Sequence, residues 1–262
     1  MFEQQISSFL SFLVGCGCGV AVGIASGTAE SFMIPFVTII LAQSVYQAIG
    51  TSLVVDCIIG GIAGIIFLLK GNVNVRPVML LAISGMAASV IGSMFTRGTP
   101  EVGLKFLIAF VLIGLGLALL RGGVKRNVEY VNSKVSFSWF QKQKLVSLLF
   151  FGSLIGFASG FTGMGSSGAM TFVLIFIMGY DLHTSIGTSL LMMFFIAGSG
   201  AIAHGLKGEI VTSVALFAGI GALIGAMSGS FFANKIDEDK LGRLIGLIIT
   251  LLGFSVLIEL LI

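Results

Sequence analysis

The chain has 262 residues, of which 56% are hydrophobic and 10% are charged. An ordinary soluble domain contains about 25% charged residues, so this composition excludes a soluble globular protein and indicates an all-helical, polytopic protein whose surroundings are the lipid bilayer. With 37 glycines and only 3 prolines, glycine is the residue expected to interrupt its helices.

Eight apolar stretches follow one another along the chain. Six have the length of one membrane crossing, about 20 residues, and these are 45–69, 78–95, 104–120, 183–206, 210–233 and 241–261. The other two, 9–41 and 145–179, are too long for one crossing and short for two straight ones. Each has a polar or glycine-rich centre, which predicts two half-helices that meet inside the membrane.

The first broken stretch carries a glutamate, Glu30, deep in apolar sequence. An ionisable side chain at such depth faces protein or water and is a candidate functional group. A half-helix that begins near Glu30 would direct backbone N–H groups at a ligand. The candidate substrate-binding residues here are Thr28, Ala29, Glu30 and Ser31, and a capping or structural glutamate is the alternative.

Asp56 is a second acid within apolar sequence. It shares a helix face with Ser52, four residues earlier, and Thr51 lies beside them. We add Thr51 and Ser52 to the substrate-binding candidates, with Glu30 and Asp56 as candidate sites for a coupling proton or cation. The alternative is that Asp56 only bonds a neighbouring Ser or Thr. The sequence does not place Glu30 and Asp56 in contact.

A basic segment, 121–143, joins the two halves of the chain. Its basic side chains accompany Phe137, Trp139 and Phe140, a composition typical of a segment on the inner membrane surface. A nucleic-acid-binding arm can carry similar charge, but its position in a membrane loop argues against a nucleic-acid partner.

The second broken stretch centres on the sequence GFTGMGSSG at 160–168. Small residues let the backbone approach a ligand, and consecutive N–H groups at the start of a half-helix can bind an anion. The candidate residues are Gly163, Gly165, Ser166, Ser167 and Gly168, with Thr188 and Ser189 in the helix that follows. Close helix packing is the alternative, and it accounts for Gly152, Gly156 and Gly160.

Cysteine and histidine residues form no metal-binding pattern. Cys16 and Cys18 point to different helix faces, and three thiols give no disulfide framework. His183 and His204 flank one apolar stretch, where residues of the membrane interface are expected. We expect no cofactor, no metal ion and no catalytic residue, because the usual catalytic motifs are missing.

The two halves repeat one another at a constant offset of 137 residues. The motif IGTSL occurs at 49–53 and again at 186–190. The repeat divides the chain into a first membrane half (1–120), the linker (121–143) and a second membrane half (144–262), with about five helical segments in each half. Such repeats are typical of secondary transporters, whose site lies between the halves near the membrane midplane. A duplicated bundle without a transport role is the alternative.

Charge distribution favours halves of opposite orientation. If both broken stretches re-enter or cross twice, every basic residue except Arg97, Lys105 and Lys207 lies on the side of the linker. The positive-inside rule then predicts an inverted repeat in the cell (inner) membrane, with the linker cytoplasmic and both termini outside. The sequence does not separate re-entrant stretches from double crossings.

These motifs together resemble the TauE/SafE family of membrane permeases, over nearly the whole chain. The resemblance rests on the glycine breaks, the paired TSL motifs, Pro35 and the turns at 70–73 and 207–210. It implies transport of sulfite, sulfonates or related organosulfur anions. It also places the family's glycine triplet at 165–167 and at 28–30.

Two positions depart from that family pattern. Phe172 stands where the second half would carry proline, and Glu30 stands where the family has glycine. An ionised Glu30 would repel a divalent anion, whereas a protonated Glu30 could donate a hydrogen bond to it.

Two classes of function remain. The leading one is a secondary transporter for a small sulfur-containing or organic anion, working by alternating access with a proton or Na⁺ as candidate coupling ion. The alternative is a passive anion or cation channel lined by the same broken helices. A homodimer is compatible with either class.

Overall fold

A computed structural model describes residues 2–96, 137–163 and 166–261, together with Ile113, Leu117 and Leu120. These residues form helices and turns, with no strand among them. The predicted stretch 104–120, most of the linker and Gly165 lie outside the described residues, apart from the three single positions. The proposed division at 120 and 143 therefore stays a prediction.

Ten helices are present in the described residues. They are α1 (Phe2–Ala25), α2 (Glu30–Ile40), α3 (Val45–Leu69), α4 (Val75–Met94), α5 (Ser138–Lys142), α6 (Lys144–Thr162), α7 (Ser167–Ile177), α8 (Leu182–Gly205), α9 (Thr212–Ala233) and α10 (Glu238–Leu261). Six of them, α1, α3, α4, α6, α8 and α9, are long and apolar enough to cross a membrane. The prediction of an all-helical, multi-pass membrane protein is confirmed.

Both long apolar stretches are broken where the sequence predicted. The first is interrupted between α1 and α2, and the second between α6 and α7. Each half-helix ends in a wide π-helical turn, Phe36–Ile40 in α2 and Val173–Ile177 in α7. Pro35 precedes the first turn but Phe172 precedes the second, so proline is not what produces the π geometry.

The structural elements follow the repeat of the sequence. The starts of α2 and α7, of α3 and α8, and of α4 and α9 are all separated by 137 residues. Contacts between the halves are reciprocal: Gly50 lies against the carbonyl oxygen of Glu209, and Gly187 lies against that of Asn72. Each residue of one pair is the repeat counterpart of a residue in the other, which is the mark of a twofold arrangement.

Helices of one half pack on helices of the other. Gly15 and Gly19 of α1 face Ala218 and Ala222 of α9 so closely that a Cβ at either glycine would overlap a backbone carbonyl oxygen. Gly156 and Gly160 of α6 lie in the same way against α4, and a Cβ at Gly152 would overlap the Ser84 hydroxyl of that helix. The expected packing role of these glycines is present, and it joins the two halves.

The equivalent helices α3 and α8 cross at the centre of the molecule. A Cβ at Gly200 would contact Leu53, one at Gly198 would contact Cys57, and one at Gly64 would contact Leu191. Residues later in α3 thus meet residues earlier in α8, so the two helices run antiparallel. Around them lies the buried core, which contains the fully buried side chains Ile49, Leu53, Ile186 and Leu190.

Candidate functional site

The site is built where the two broken helices end and restart. α1 is followed by Ser26 (φ 52°) and α6 by Gly163 (φ 79°), both in the left-handed conformation. These residues occupy the same position of the repeat. A left-handed residue is a common way to end a helix, and it is unusual for a serine. Both breaks therefore begin with the same backbone turn.

Three hydroxyl groups close the contact between the breaks. Ser26 Oγ lies 2.7 Å from Thr171 Oγ1 and 2.7 Å from Ser189 Oγ, and these last two atoms lie 2.6 Å apart. All three side chains are buried. The hydroxyl triad, as we call Ser26, Thr171 and Ser189, thus ties the first break to α7 and to the second IGTSL motif.

The start of α7 is pressed against the first break. Ser167 Oγ donates a hydrogen bond to the Gly27 carbonyl oxygen over 2.6 Å. A Cβ at Gly168 would lie 3.1 Å from the Ser26 carbonyl oxygen, so a side chain there would crowd the contact. The structure therefore brings the predicted residues Ser167, Gly168 and Ser189 to the first break.

Ser26 and Thr171 are not among the residues predicted from the sequence. Ser26 is the first residue after α1, and Thr171 lies four residues after Ser167, on the same helix face. That spacing was readable in the sequence. The contact between Ser26 and Thr171 was not readable, because the repeat gives no matching pair of hydroxyl groups. The counterparts in the other half are Gly163 and Ile34.

Asp56 holds the start of α2. The Ala29 N–H donates to Asp56 Oδ1 over 2.8 Å, and Thr28 Oγ1 donates to Oδ2 over 3.0 Å. The Glu30 N–H in turn donates to Thr28 Oγ1 over 3.2 Å. The alternative interpretation of Asp56 was a bond to a neighbouring Ser or Thr, and the structure shows such a bond from Thr28. The counterpart of Asp56 in the second half is Met193, so no carboxylate holds the start of α7 from the equivalent position.

The remaining candidates of the two breaks lie beside these contacts. Glu30 is 7% exposed at the first residue of α2, and Ser31 next to it is half-buried. Ser166, just before α7, is buried, and its Oγ has no hydrogen-bond partner among the described residues.

The TSL motifs divide into two roles. Thr51 Oγ1 accepts a hydrogen bond from the Val211 N–H, and Thr188 Oγ1 accepts one from the Asn74 N–H, each over 3.0 Å. These threonines hold the turn that follows α8 or α3 of the other half. Ser52 donates to the Ile49 carbonyl oxygen within its own helix. Of the four motif hydroxyls, Ser189 alone is bonded to the first break in the described structure.

The expectation that His204 lies at the membrane interface stays a prediction, but its side chain does not face the surroundings of the protein. Its side chain is fully buried because it lies between two partners: Nδ1 is 2.7 Å from Glu209 Oε2, and Nε2 is 3.1 Å from the Gly160 carbonyl oxygen. His183 differs, because it lies at the other end of α8 and is partly exposed. Its ring faces Glu238 at the start of α10.

The fold and the facing breaks define a polytopic membrane protein built from two repeated halves that meet at interrupted helices. A model of the family described as "Sulfite exporter TauE/SafE" matches residues 10–256, so the chain belongs to that family. The resemblance drawn from the sequence motifs is confirmed.

Several curated relatives are named probable membrane transporter proteins. One from Xylella fastidiosa is 36% identical over 117 residues, which is 44% of this chain and 44% of the relative. YdhB of Bacillus subtilis is 33% identical over 116 residues, 44% of this chain and 46% of YdhB. The chain thus covers less than half of these relatives' length. YunE of Bacillus subtilis is 21% identical over 97% of this chain and 94% of YunE. No solved structure matches the chain at a significant level.

Proposed function

We propose that this protein is a secondary membrane transporter for a small sulfur-containing or organic anion, with sulfite and sulfonates as the first substrates to test. The observation that carries the proposal is the hydrogen-bonded contact between the two helix breaks, made by the hydroxyl triad and by Ser167 with Gly27. Interrupted helices in a membrane interior are tolerated where they line a site or a cavity.

The proposed anion site lies at the second break. α7 begins there with Ser167 and Gly168, and the buried Ser166 hydroxyl adds a donor that has no described partner. At the first break, Asp56 already accepts the Ala29 N–H and the Thr28 hydroxyl. One break therefore holds a carboxylate of the protein, and the other is the place for an anion from outside.

Alternating access between inverted halves is the proposed mechanism. It is supported by the antiparallel packing of the equivalent helices α3 and α8 and by the reciprocal contacts of Gly50 and Gly187. A pseudo-twofold arrangement lets the protein exchange the conformations of its halves and so open the site to either side. The proposed orientation has the linker in the cytoplasm and both termini outside the inner membrane.

Glu30 and Asp56 are the proposed coupling sites for a proton or Na⁺. A protonated Asp56 accepts the Ala29 N–H and the Thr28 hydroxyl less well than a carboxylate does. Protonation would therefore loosen the start of α2, which connects ion binding to movement of the first break.

The experiment is uptake of labelled sulfite, a sulfonate and a simple carboxylate by proteoliposomes. Thr171→Val keeps the side-chain shape but removes one hydroxyl of the triad, and a loss of about 1.4 kcal/mol there lowers uptake about tenfold. The matched control is Thr250→Val in α10, whose hydroxyl bonds Gly246 of its own helix. We expect saturable uptake that Thr171→Val impairs and Thr250→Val leaves unchanged.

A passive channel predicts a different flux measurement. Non-saturating flux with single-channel currents in planar bilayers would replace the transporter proposal, and equal uptake by the two valine variants would remove the triad from the pathway. A homodimer is tested in the same preparations by measuring the mass of the protein in detergent.

A further inference from the structure

A buried pair of titratable side chains lies outside the proposed anion site. The His204 side chain is 0% exposed and that of Glu209 is 5% exposed, and their facing atoms are 2.7 Å apart. The other ring nitrogen of His204 contacts the Gly160 carbonyl oxygen at 3.1 Å. Gly160 lies in the last turn of α6, just before the second break.

The hydrogen bonds require one shared proton. A carbonyl oxygen only accepts, so His204 Nε2 must carry hydrogen to bond Gly160. Between Nδ1 and Glu209 Oε2 there must then be one further proton, held by either atom. If that proton leaves, the neutral ring has one hydrogen for two acceptors, so His204 can hold either Glu209 or Gly160 but not both.

The pair fastens a turn that touches both halves. Glu209 lies in the turn at 205–211, and its own carbonyl oxygen is packed against Gly50 in the first IGTSL motif. The Val211 N–H at the end of this turn donates to Thr51. His204 thus contacts α6 just before the second break, while the turn contacts α3 of the first half.

The corresponding turn of the first half has the same backbone contacts without titratable groups. Phe67 stands in place of His204, and Asn72 stands in place of Glu209. Even so, the Asn72 carbonyl oxygen packs against Gly187, and the Asn74 N–H donates to Thr188. The two turns are thus alike in backbone and unlike in protonation chemistry.

Other charged groups near the pair are few in the described residues. Lys207, in the same turn, donates to the Ser93 carbonyl oxygen at the end of α4. On α3, the titratable side chains are Tyr46, which precedes Gly50, and Asp56 and Cys57, which follow it. Arg76 and Lys144 lie at the far ends of α4 and α6, and α9 carries no titratable side chain.

We propose that His204 and Glu209 bind a single proton as a latch, which fastens the 205–211 turn to the end of α6 until that proton is released. Because the other half has no such pair, release frees one of two otherwise equivalent turns. The role of the latch in transport rests on the proposed function, but its existence as a proton site does not.

Hydrogen exchange of purified protein in lipid nanodiscs, read by mass spectrometry from about pH 5 to about pH 8, tests the latch without any substrate. After correction for intrinsic exchange, protection of the 205–211 turn is expected to fall with pH, by up to tenfold per pH unit, as one proton is lost. The turn at 68–74 is the internal control and is expected to show no such fall.

Two variants complete the test. His204→Phe with Glu209→Asn gives the second turn the side chains of the first, and we expect the pH dependence to vanish. Glu209→Gln, which preserves size, is expected to do the same and serves where the double variant is poorly folded. Equal pH dependence of both turns, persistence of the effect in the variants, or constant protection of the 205–211 turn in the wild type would each overturn the latch.

Discussion

At the scale of single residues, the two breaks differ in their acidic side chains, because Glu30 and Asp56 have Ser167 and Met193 as counterparts. Asp56 supplies the first half-helix with a carboxylate, and Met193 leaves the second without one. The hydrogen bonds from Ala29 and Thr28 to Asp56 therefore have no carboxylate counterpart in the second half. The two halves therefore hold the starts of their second half-helices by different groups.

Substitution of Asp56 separates its hydrogen bonding from its charge. Asp56→Ala leaves the buried Ala29 N–H without its acceptor and removes one hydrogen bond of the Thr28 hydroxyl, and the loss is expected to be about 1–3 kcal/mol of unfolding free energy. Asp56→Asn keeps one oxygen acceptor and should lose less. Thermal unfolding in detergent measures both, and equal losses would contradict the capping role.

Residue types in the sequence indicated only part of this site. Glu30, Asp56 and the small residues of the breaks stand out because polar groups are costly in apolar sequence. Ser26 and Thr171 do not stand out, since serine and threonine are common in membrane helices and bond their own backbone. The burial of His204 was hidden too, because its partners come from a turn and from another helix.

At the scale of elements, the turns after α3 and α8 depend on glycine. Gly50 and Gly187 let the backbone of the opposite turn approach so closely that any side chain would overlap it. Helix boundaries were readable from apolar length: the predicted stretch 45–69 is α3 itself, and 183–206 differs from α8 by one residue at each end. The π-helical turns were not readable, because Phe172 lacks the proline signal of Pro35.

A pair of glycine substitutions tests the close contact between Gly50 and the opposite turn. Gly50→Ala places a Cβ onto the Glu209 carbonyl oxygen. Only a shift of the backbone can relieve that overlap, so we expect folding to be strongly impaired. Gly17→Ala, in α1, meets nothing within 4 Å and should be neutral or stabilising by about 0.5–1 kcal/mol. The folded yield after detergent extraction and the melting temperature report the difference. Similar behaviour of the two variants would argue against the close contact.

At the scale of the whole molecule, described helices of each half pack on helices of the other half. α1 packs on α9, and α6 packs on α4, so each half lends helices to the other. The repeat itself was visible in the sequence. The sequence did not show which half each helix packs against. An internal repeat specifies similar surfaces, but these can pair within a half or between halves.

Separated halves should therefore fold only together. We expect fragments 1–120 and 137–262 to be unstable when expressed singly and to be recovered as a complex when expressed together. Co-purification through a tag on one fragment measures this. Two fragments that are each stable alone would contradict the exchanged packing.

A cross-link between the same fragments tests the central crossing of α3 and α8. A Cβ at Gly198 would lie 3.2 Å from Cys57 Sγ, close enough for Gly198→Cys to form a disulfide with it after mild oxidation. Gly205→Cys, at the end of α8, is the matched control, because its side chain would meet Ile210 of its own fragment instead of Cys57. Cross-linking of both variants alike would count against the antiparallel register.

The packing of α1 on α9 also has a consequence for biosynthesis. Gly15 and Ala218, which touch in the finished protein, are about 200 residues apart in the chain. At synthesis rates of about 5–20 residues per second, the first helix waits about 10–40 seconds in the membrane before its partner is made. During that time its glycine-lined face is open to lipid or to the insertion machinery, so the first helix can pair with α9 only after most of the chain has been made.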